Sequence, residues 1–301
     1  MKGVNLGTLF SEKITTPLVA AIKAPPGNLD HVRLFWLGQA GFAIRYRDTL
    51  IIVDPYLSDY LAEKYQNAEF KHRRMMPPPI LPKEAAVADW VIATHKHSDH
   101  LDPWTVSAMV AANPNLKIIV PESAAGHAMD MGVPQDKSYL IDAGQSVTID
   151  RDIHIDALPS AHETLTTDAD GKHLYLGYVM RFGALSVYHS GDCVPYRGLA
   201  STLAAQNIDL ALLPINGRDG YRRERNIPGN FTVQEALNLC EQAAIPNMIG
   251  HHFGMFDFNT IDPKEAQDVI QQNAHIDSGC CAELDVAYKL IEKEQNYDGS
   301  V

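Results

Sequence analysis

The chain has 301 residues, 25 Lys plus Arg against 37 Asp plus Glu, a formal net charge of −12, and 46% hydrophobic residues. This apolar content excludes a disordered or collagen-like chain, and the acidic balance argues against a general polyanion binder, which needs clustered cations to displace counterions. Thirteen histidines stand against four cysteines, so a disulfide framework is excluded and a histidine-built site is worth seeking.

In chain order, residues 1–30 show no clear strand character and read as an N-terminal extension. Residues 32–37, 42–46 and 50–53 predict an antiparallel set broken by the turn Gly38-Gln39-Ala40-Gly41. Residues 58–88 hold the basic cluster Lys71-His72-Arg73-Arg74, then Met75-Met76 and three prolines; a loop of this length reads as an insertion near a site. Residues 90–94 form a continuous apolar run, the pattern of a buried strand. Asp102 before Pro103 has the chemistry of a helix N-cap, with the helix carried over 105–112. Further strands are expected at 117–120, 146–149, 153–158, 175–181, 185–189, 209–213, 247–250 and 285–291, and helices at 123–131, 198–206, 233–244 and 263–273. Strand pairs outnumber crossover helices, which fits an α/β domain over 1–301 with two mixed sheets packed together and helices outside.

No early apolar run is long enough for a signal-peptide core, and no window approaches the roughly 18 apolar residues of a membrane span. Cys193, Cys240, Cys280 and Cys281 form no C-x-x-C pair, so reduced thiols in a cytoplasmic protein are expected. Cys193 is read as a packing residue.

The strongest motif is Thr94-His95-Lys96-His97-Ser98-Asp99-His100, directly after the strand at 90–94. Three histidines and an aspartate in six positions, opening a loop at a strand end, are arranged as metal ligands. Alternate residues His95 and His97 can point one way while Asp99 and His100 turn toward a second centre.

The motif H-x-H-x-D-H resembles the signature of the metallo-β-lactamase superfamily. The resemblance extends to His162 in Pro159-Ser160-Ala161-His162-Glu163, to Asp192 in His189-Ser190-Gly191-Asp192, and to His252 in Gly250-His251-His252-Phe253-Gly254, each following an expected strand. It implies a four-layer αββα sandwich and two divalent ions. One would take His95, His97 and His162, the other Asp99, His100 and His252, with Asp192 between them. Phe253 fits the aromatic that follows the family's last ligand, which favours His252 over His251, although Gly250 replaces the usual proline. Asp54 in Ile52-Val53-Asp54-Pro55 matches a position that orients ligands through hydrogen bonds, and His189 and His251 are expected behind the ligands or in the core.

Leu212-Leu213-Pro214-Ile215-Asn216-Gly217-Arg218, Asn226-Ile227-Pro228-Gly229-Asn230, Trp36 to Gly41 and His252 to Phe256 are similar to the branch of that superfamily containing L-ascorbate-6-phosphate lactonase. The branch resemblance covers roughly residues 32–270. It implies hydrolysis of a sugar-acid lactone, phosphorylated or free, with Mn²⁺ or Zn²⁺; ligand softness leaves Fe²⁺ open as well. Two ions ~3.5–4 Å apart would generate hydroxide at neutral pH, with Asp99 orienting the nucleophile or accepting its proton. Arg218 and Asn216 are the expected substrate contacts, and Arg222, Arg223 and Arg225 offer further cations beside them. The expected partner is a small anionic metabolite, with no nucleic acid and no membrane; homo-oligomeric assembly is what the branch implies. The alternatives are a metal-dependent phosphodiesterase or nuclease, and a metal-binding protein without turnover.

Overall fold

Alternating burial along the strands divides the apolar residues between two cores. The computed structural model describes residues 7–25 and 31–293. One mixed sheet holds β1 (Gly7–Lys13), β2 (His31–Gly38), β3 (Gly41–Tyr46), β4 (Thr49–Val53), β5 (Trp90–Ile92), β6 (Lys117–Pro121) and β7 (Ser138–Ile141). The other holds β8 (Ser146–Asp150), β9 (Ile153–Pro159), β10 (Leu176–Phe182), β11 (Leu185–His189), β12 (Leu210–Pro214), β13 (Asn247–His251) and β14 (Ser278–Cys281). The last strand, β15 (Val286–Glu292), returns to the first sheet between β1 and β2.

In β2, Val32, Leu34 and Trp36 face the core between the sheets, whereas Phe35 and Leu37 face an outer core. The same division places Ile51 and Val53 inside and Leu50 and Ile52 outside, as the two-residue period of a strand requires. Leu18 and Ile22 of the helix Leu18–Lys23 and Val106 and Met109 of the helix Pro103–Ala112 cover the outer face of the first sheet. Ala236, Leu237 and Cys240 of Val233–Gln242 and Ile270 of Pro263–Gln271 join the cluster on the second. The result is four layers, helix, sheet, sheet, helix. Capping agrees with the sequence: Asp102 accepts from the Trp104 N–H at 3.1 Å, and Thr232 and Glu235 form a reciprocal capping box.

Three strands depart from the reading above. Gly7–Lys13, inside the segment read as lacking strand character, pairs antiparallel with β15; the remainder of residues 1–6 and 26–30 lies outside the described residues. β7 and β14 also form edges or near-edges with little buried apolar surface. Residues 58–88 contain the short helices Tyr60–Lys64 and Pro82–Ala85 joined by irregular chain. Among the described residues, no helix is long and apolar enough to cross a membrane.

The parallel runs β4-β5-β6 and β11-β12-β13 bring their carboxyl ends to one edge of the sandwich. Asp54, the 94–100 loop, Asp192 and His252 follow β4, β5, β11 and β13 there, and His162 follows the antiparallel β9.

Candidate metal centre

The loop after β5 folds tightly because its own backbone closes it: the His100 and Leu101 N–H groups donate to the His97 carbonyl at 3.0 and 2.8 Å. The turn aims His95, His97, Asp99 and His100 at one point. Three groups of side chains then have ligand atoms within 4.8 Å of one another: His95 with His97 and His162; Asp99 with His100 and His252; and His95 with His100 and Asp192. Asp192 lies between the first two groups. Its carboxylate oxygens stand 3.6 Å from His162 Nε2, 3.3 Å from His100 Nε2 and 3.0 Å from His252 Nε2.

The imidazoles are oriented from behind. Asp54 Oδ1 accepts from the Thr94 N–H at 2.8 Å, and Oδ2 accepts from Thr94 Oγ1 at 2.7 Å and from His100 Nδ1 at 2.7 Å. Since the one hydroxyl proton of Thr94 goes to Asp54, Thr94 Oγ1 accepts from His95 Nδ1 at 3.0 Å. Both histidines therefore carry their proton on Nδ1 and turn a lone pair on Nε2 toward the cluster. His95 Nε2 and His100 Nε2 are buried without a hydrogen-bond partner among the described residues. A buried unpaired acceptor costs ~1–3 kcal/mol, and a cation at this point would satisfy both. The residues fit divalent cations bound by nitrogen and oxygen donors.

Charge at the cluster follows the same geometry. Burial pushes His95 and His97 below the usual imidazole range, and pushes His162 down to about 4, so these rings are neutral at neutral pH. Burial opposes the charge on Asp192, but His252 and His100 outweigh it and hold the carboxyl well below its ordinary value. Burial likewise opposes the charge on Asp99, but its surroundings, His100 foremost, outweigh this and hold the carboxyl below its ordinary value.

Backbone strain concentrates here. Gln39, Asp54, Glu163 and His252 all have left-handed φ, at 50°, 44°, 76° and 67°, a conformation costly for residues with a Cβ. Gly191, at φ 60°, precedes Asp192, and a Cβ there would stand 2.8 Å from both the Leu176 carbonyl oxygen and Thr94 Cβ. Glycine is required for β11 to present Asp192.

The site opens into a cavity of about 820 Å³ whose floor includes His97, Asp99, His162, Asp192 and His252. Residues 61–72 form one wall, with Leu61, Lys64, Tyr65, Phe70 and His72 all lining it. Lys96 and Arg225 supply two more cations, and Phe256 and Phe258 an apolar face.

The expected substrate contacts Arg218 and Asn216 are placed differently. Arg218 makes a bidentate pair with Glu235, both oxygens at 2.6 Å, and its charge is spent there rather than in the cavity. Asn216 is fully buried and donates to Asn259 Oδ1 at 2.9 Å while accepting from Asn230 Nδ2 at 3.0 Å. Asn230 Oδ1 in turn accepts from the Cys193 N–H at 2.9 Å, so this network braces the residue after Asp192. Arg222 joins it through the Asn216 carbonyl and Asn259. Of the arginine cluster, Arg225 is the one that lines the cavity.

His251 points away from the ligand groups, stacked on His189 with ring centroids 5.1 Å apart. His189 ties the two sheets: Nε2 donates to the Ala40 carbonyl at 2.9 Å and Nδ1 accepts from the Gly191 N–H at 3.1 Å. Burial raises the Cys193 thiol to about 11, which leaves it an unreactive packing residue.

Gln39 was not read as a site residue. Its amide donates to Asp99 Oδ2 at 2.8 Å and stands 3.2 Å from His252 Nε2. The turn motif around it was legible, but nothing in the turn shows that a residue so far from position 99 would hold its carboxylate.

Comparison with known proteins places the family and the fold. Residues 49–253 match the profile of the beta-lactamase superfamily domain. The chain is 26% identical over 232 residues to an uncharacterized protein of Mycobacterium tuberculosis, covering 76% of this chain but only 60% of that protein. It is 27% identical over 251 residues to a UPF0173 metal-dependent hydrolase of Methanoculleus marisnigri, covering 81% of this chain and 91% of that one. It is 24% identical over 244 residues to N-acyl-phosphatidylethanolamine-hydrolyzing phospholipase D 1 of Caenorhabditis elegans, covering 75% and 65%. Among solved structures, a metallo hydrolase of Ignicoccus hospitalis shares the fold with a TM-score of 0.62 at 18% identity, covering 86% of this chain and 98% of that one.

Proposed function

As the chain belongs to the beta-lactamase superfamily, we propose that it is a metal-dependent hydrolase whose centre is the seven-residue cluster His95, His97, Asp99, His100, His162, Asp192 and His252. The observation that carries this reading is the pair of buried, partnerless lone pairs on His95 Nε2 and His100 Nε2, aimed into a set of ligand atoms within 4.8 Å. One ion would be held by His95, His97 and His162 and the other by Asp99, His100 and His252, with Asp192 shared. Divalent cations bound there would supply Lewis acidity toward a carbonyl or phosphoryl oxygen and would acidify a water.

The chain's own groups do the rest. Asp54 and Thr94 keep two imidazoles in the ligating tautomer. Asp99, ionised and held by the Gln39 amide, is the cavity-floor carboxylate that orients the attacking water or takes its proton. Lys64, Lys96 and Arg225 draw an anionic substrate into an otherwise acidic protein.

The substrate reading is a sugar-acid lactone, phosphorylated or free, supported by the branch motifs and by Lys64, Lys96 and Arg225 on the cavity wall. With it go a small anionic partner, a cytoplasmic location and homo-oligomeric assembly. A second reading, phosphodiester hydrolysis, is favoured by the likeness to a phospholipase D, and the same floor could polarise a phosphoryl oxygen. Chelator-stripped protein reloaded with Mn²⁺ or Zn²⁺ and assayed on lactones and phosphodiesters separates the two. Metal-restored lactone hydrolysis is expected; faster phosphodiester cleavage would install the second reading, and no turnover by the two-ion protein would overturn both.

A further inference from the structure

The wall opposite the metal floor has a chemistry of its own. Tyr65 stacks on His72 with centroids 4.3 Å apart, and Phe256 and Phe258 meet the same imidazole edge-on at 5.1 and 4.8 Å. His72 has a left-handed φ of 49°, which a residue with a Cβ keeps only where its surroundings enforce it. Its Nδ1 stands 2.7 Å from the Phe70 carbonyl oxygen. A carbonyl only accepts, so Nδ1 carries the proton and Nε2 is a pure acceptor. Among the described residues the hydrogen bond of this half-buried imidazole is the one at Nδ1, which leaves Nε2 open to a ligand, and the residue lines the same cavity as Asp99, Lys64 and Arg225.

We propose that His72 is a substrate-binding residue that selects a hydroxylated, ring-shaped anion by accepting a hydrogen bond from a substrate hydroxyl on Nε2. Three features fix the class. An acceptor-only nitrogen demands an O–H or N–H donor. Phe256 and Phe258 give the cavity an apolar lining that suits the C–H face of a ring. Lys64, Lys96 and Arg225 take a negative group. A phosphorylated or carboxylated sugar ring carries all three, whereas an acyl chain carries no donor. Burial lowers the imidazole's basicity, which favours the accepting form at neutral pH. A site built to pair with a substrate hydroxyl discriminates strongly against an analogue that lacks it, because the acceptor is then left unpaired.

This inference rests on the lactonase reading for its substrate class, but its test needs no turnover. Binding of glucose 6-phosphate and of tetrahydropyran-2-ylmethyl phosphate, which has the same ring and anion and no hydroxyls, is measured by calorimetry on metal-loaded wild type, His72→Phe and His72→Gln. Wild type is expected to favour the hydroxylated probe at least 10-fold. His72→Phe keeps the aromatic slot filled and is expected to lose that preference while binding tetrahydropyran-2-ylmethyl phosphate as wild type does. His72→Gln, which retains an acceptor, is expected to keep part of it. Equal or absent binding of the two probes by wild type, or an undiminished preference in His72→Phe, overturns the proposal. Failure of lactone hydrolysis with the preference intact would instead fall on the lactonase reading alone.

Discussion

Thr94 has one hydroxyl proton and the Asp54 carboxylate takes it, and this settles the tautomers of His95 and His100 behind it. Supporting groups of this kind typically govern metal affinity by 10–100-fold. Asp54→Ala is accordingly expected to weaken Mn²⁺ or Zn²⁺ binding by about that factor while the fold survives, read by calorimetric titration; unchanged affinity would mean that Asp54 orients nothing. A second expectation concerns the thiols. Burial raises Cys193 to about 11 and Cys240 to about 12, so at pH 8 a disulfide reagent should leave both untouched in the native protein and titrate them only after denaturation. Rapid labelling of native Cys193 would contradict its packing role. The ligand-type residues were legible because histidines and aspartates recur at strand ends in a known pattern. Gln39 and His72 were not, since their partners are set by the approach of distant loops. Arg218 was misread for the converse reason: a motif marks a position as special without saying whether it faces substrate or Glu235.

Central strands could be read from continuous apolar runs, because a strand covered on both faces needs no alternation. Edges escaped this reading. β1 pairs with β15 but exposes most of its length, and β7 leaves Tyr139 and Leu140 in solvent, so neither carries a strong hydrophobic signature. The loops that carry ligands are held by polar clasps instead. Asp142, just after β7, accepts from the His173 N–H and imidazole, both at 3.0 Å, and so ties the β7-β8 connection to the chain between His162 and β10. Partial burial opposes its charge, yet the Ala143 and His173 donors outweigh it and lower its pKa. The depressed folded value means that this clasp stabilises at pH above the ordinary ~3.9 of an unfolded aspartate and is lost as pH falls through the lower folded value. Asp142→Asn should cost roughly 1.5 kcal/mol at pH 7, with the gap to wild type closing in acid. Denaturant melts at several pH values check this, and a gap independent of pH would contradict it.

At the scale of the molecule, a net charge of −12 coexists with a cavity whose rim carries Lys64, Lys96 and Arg225. Composition excludes a cationic surface and says nothing of a local pocket. The same limit applies to the thirteen histidines: five fall in the ligand groups, while His189 and His251 stack between the sheets and His72 joins an aromatic wall. Folding two mixed sheets so that five strand ends meet at one edge is what turns scattered residues into a centre. The direct test of that centre is metal stoichiometry, by equilibrium dialysis against Mn²⁺ or Zn²⁺ followed by elemental analysis of wild type and Asp192→Ala. The account predicts two ions per chain in wild type and a loss of at least one in the variant; one ion or none in wild type, or two in both proteins, would contradict it.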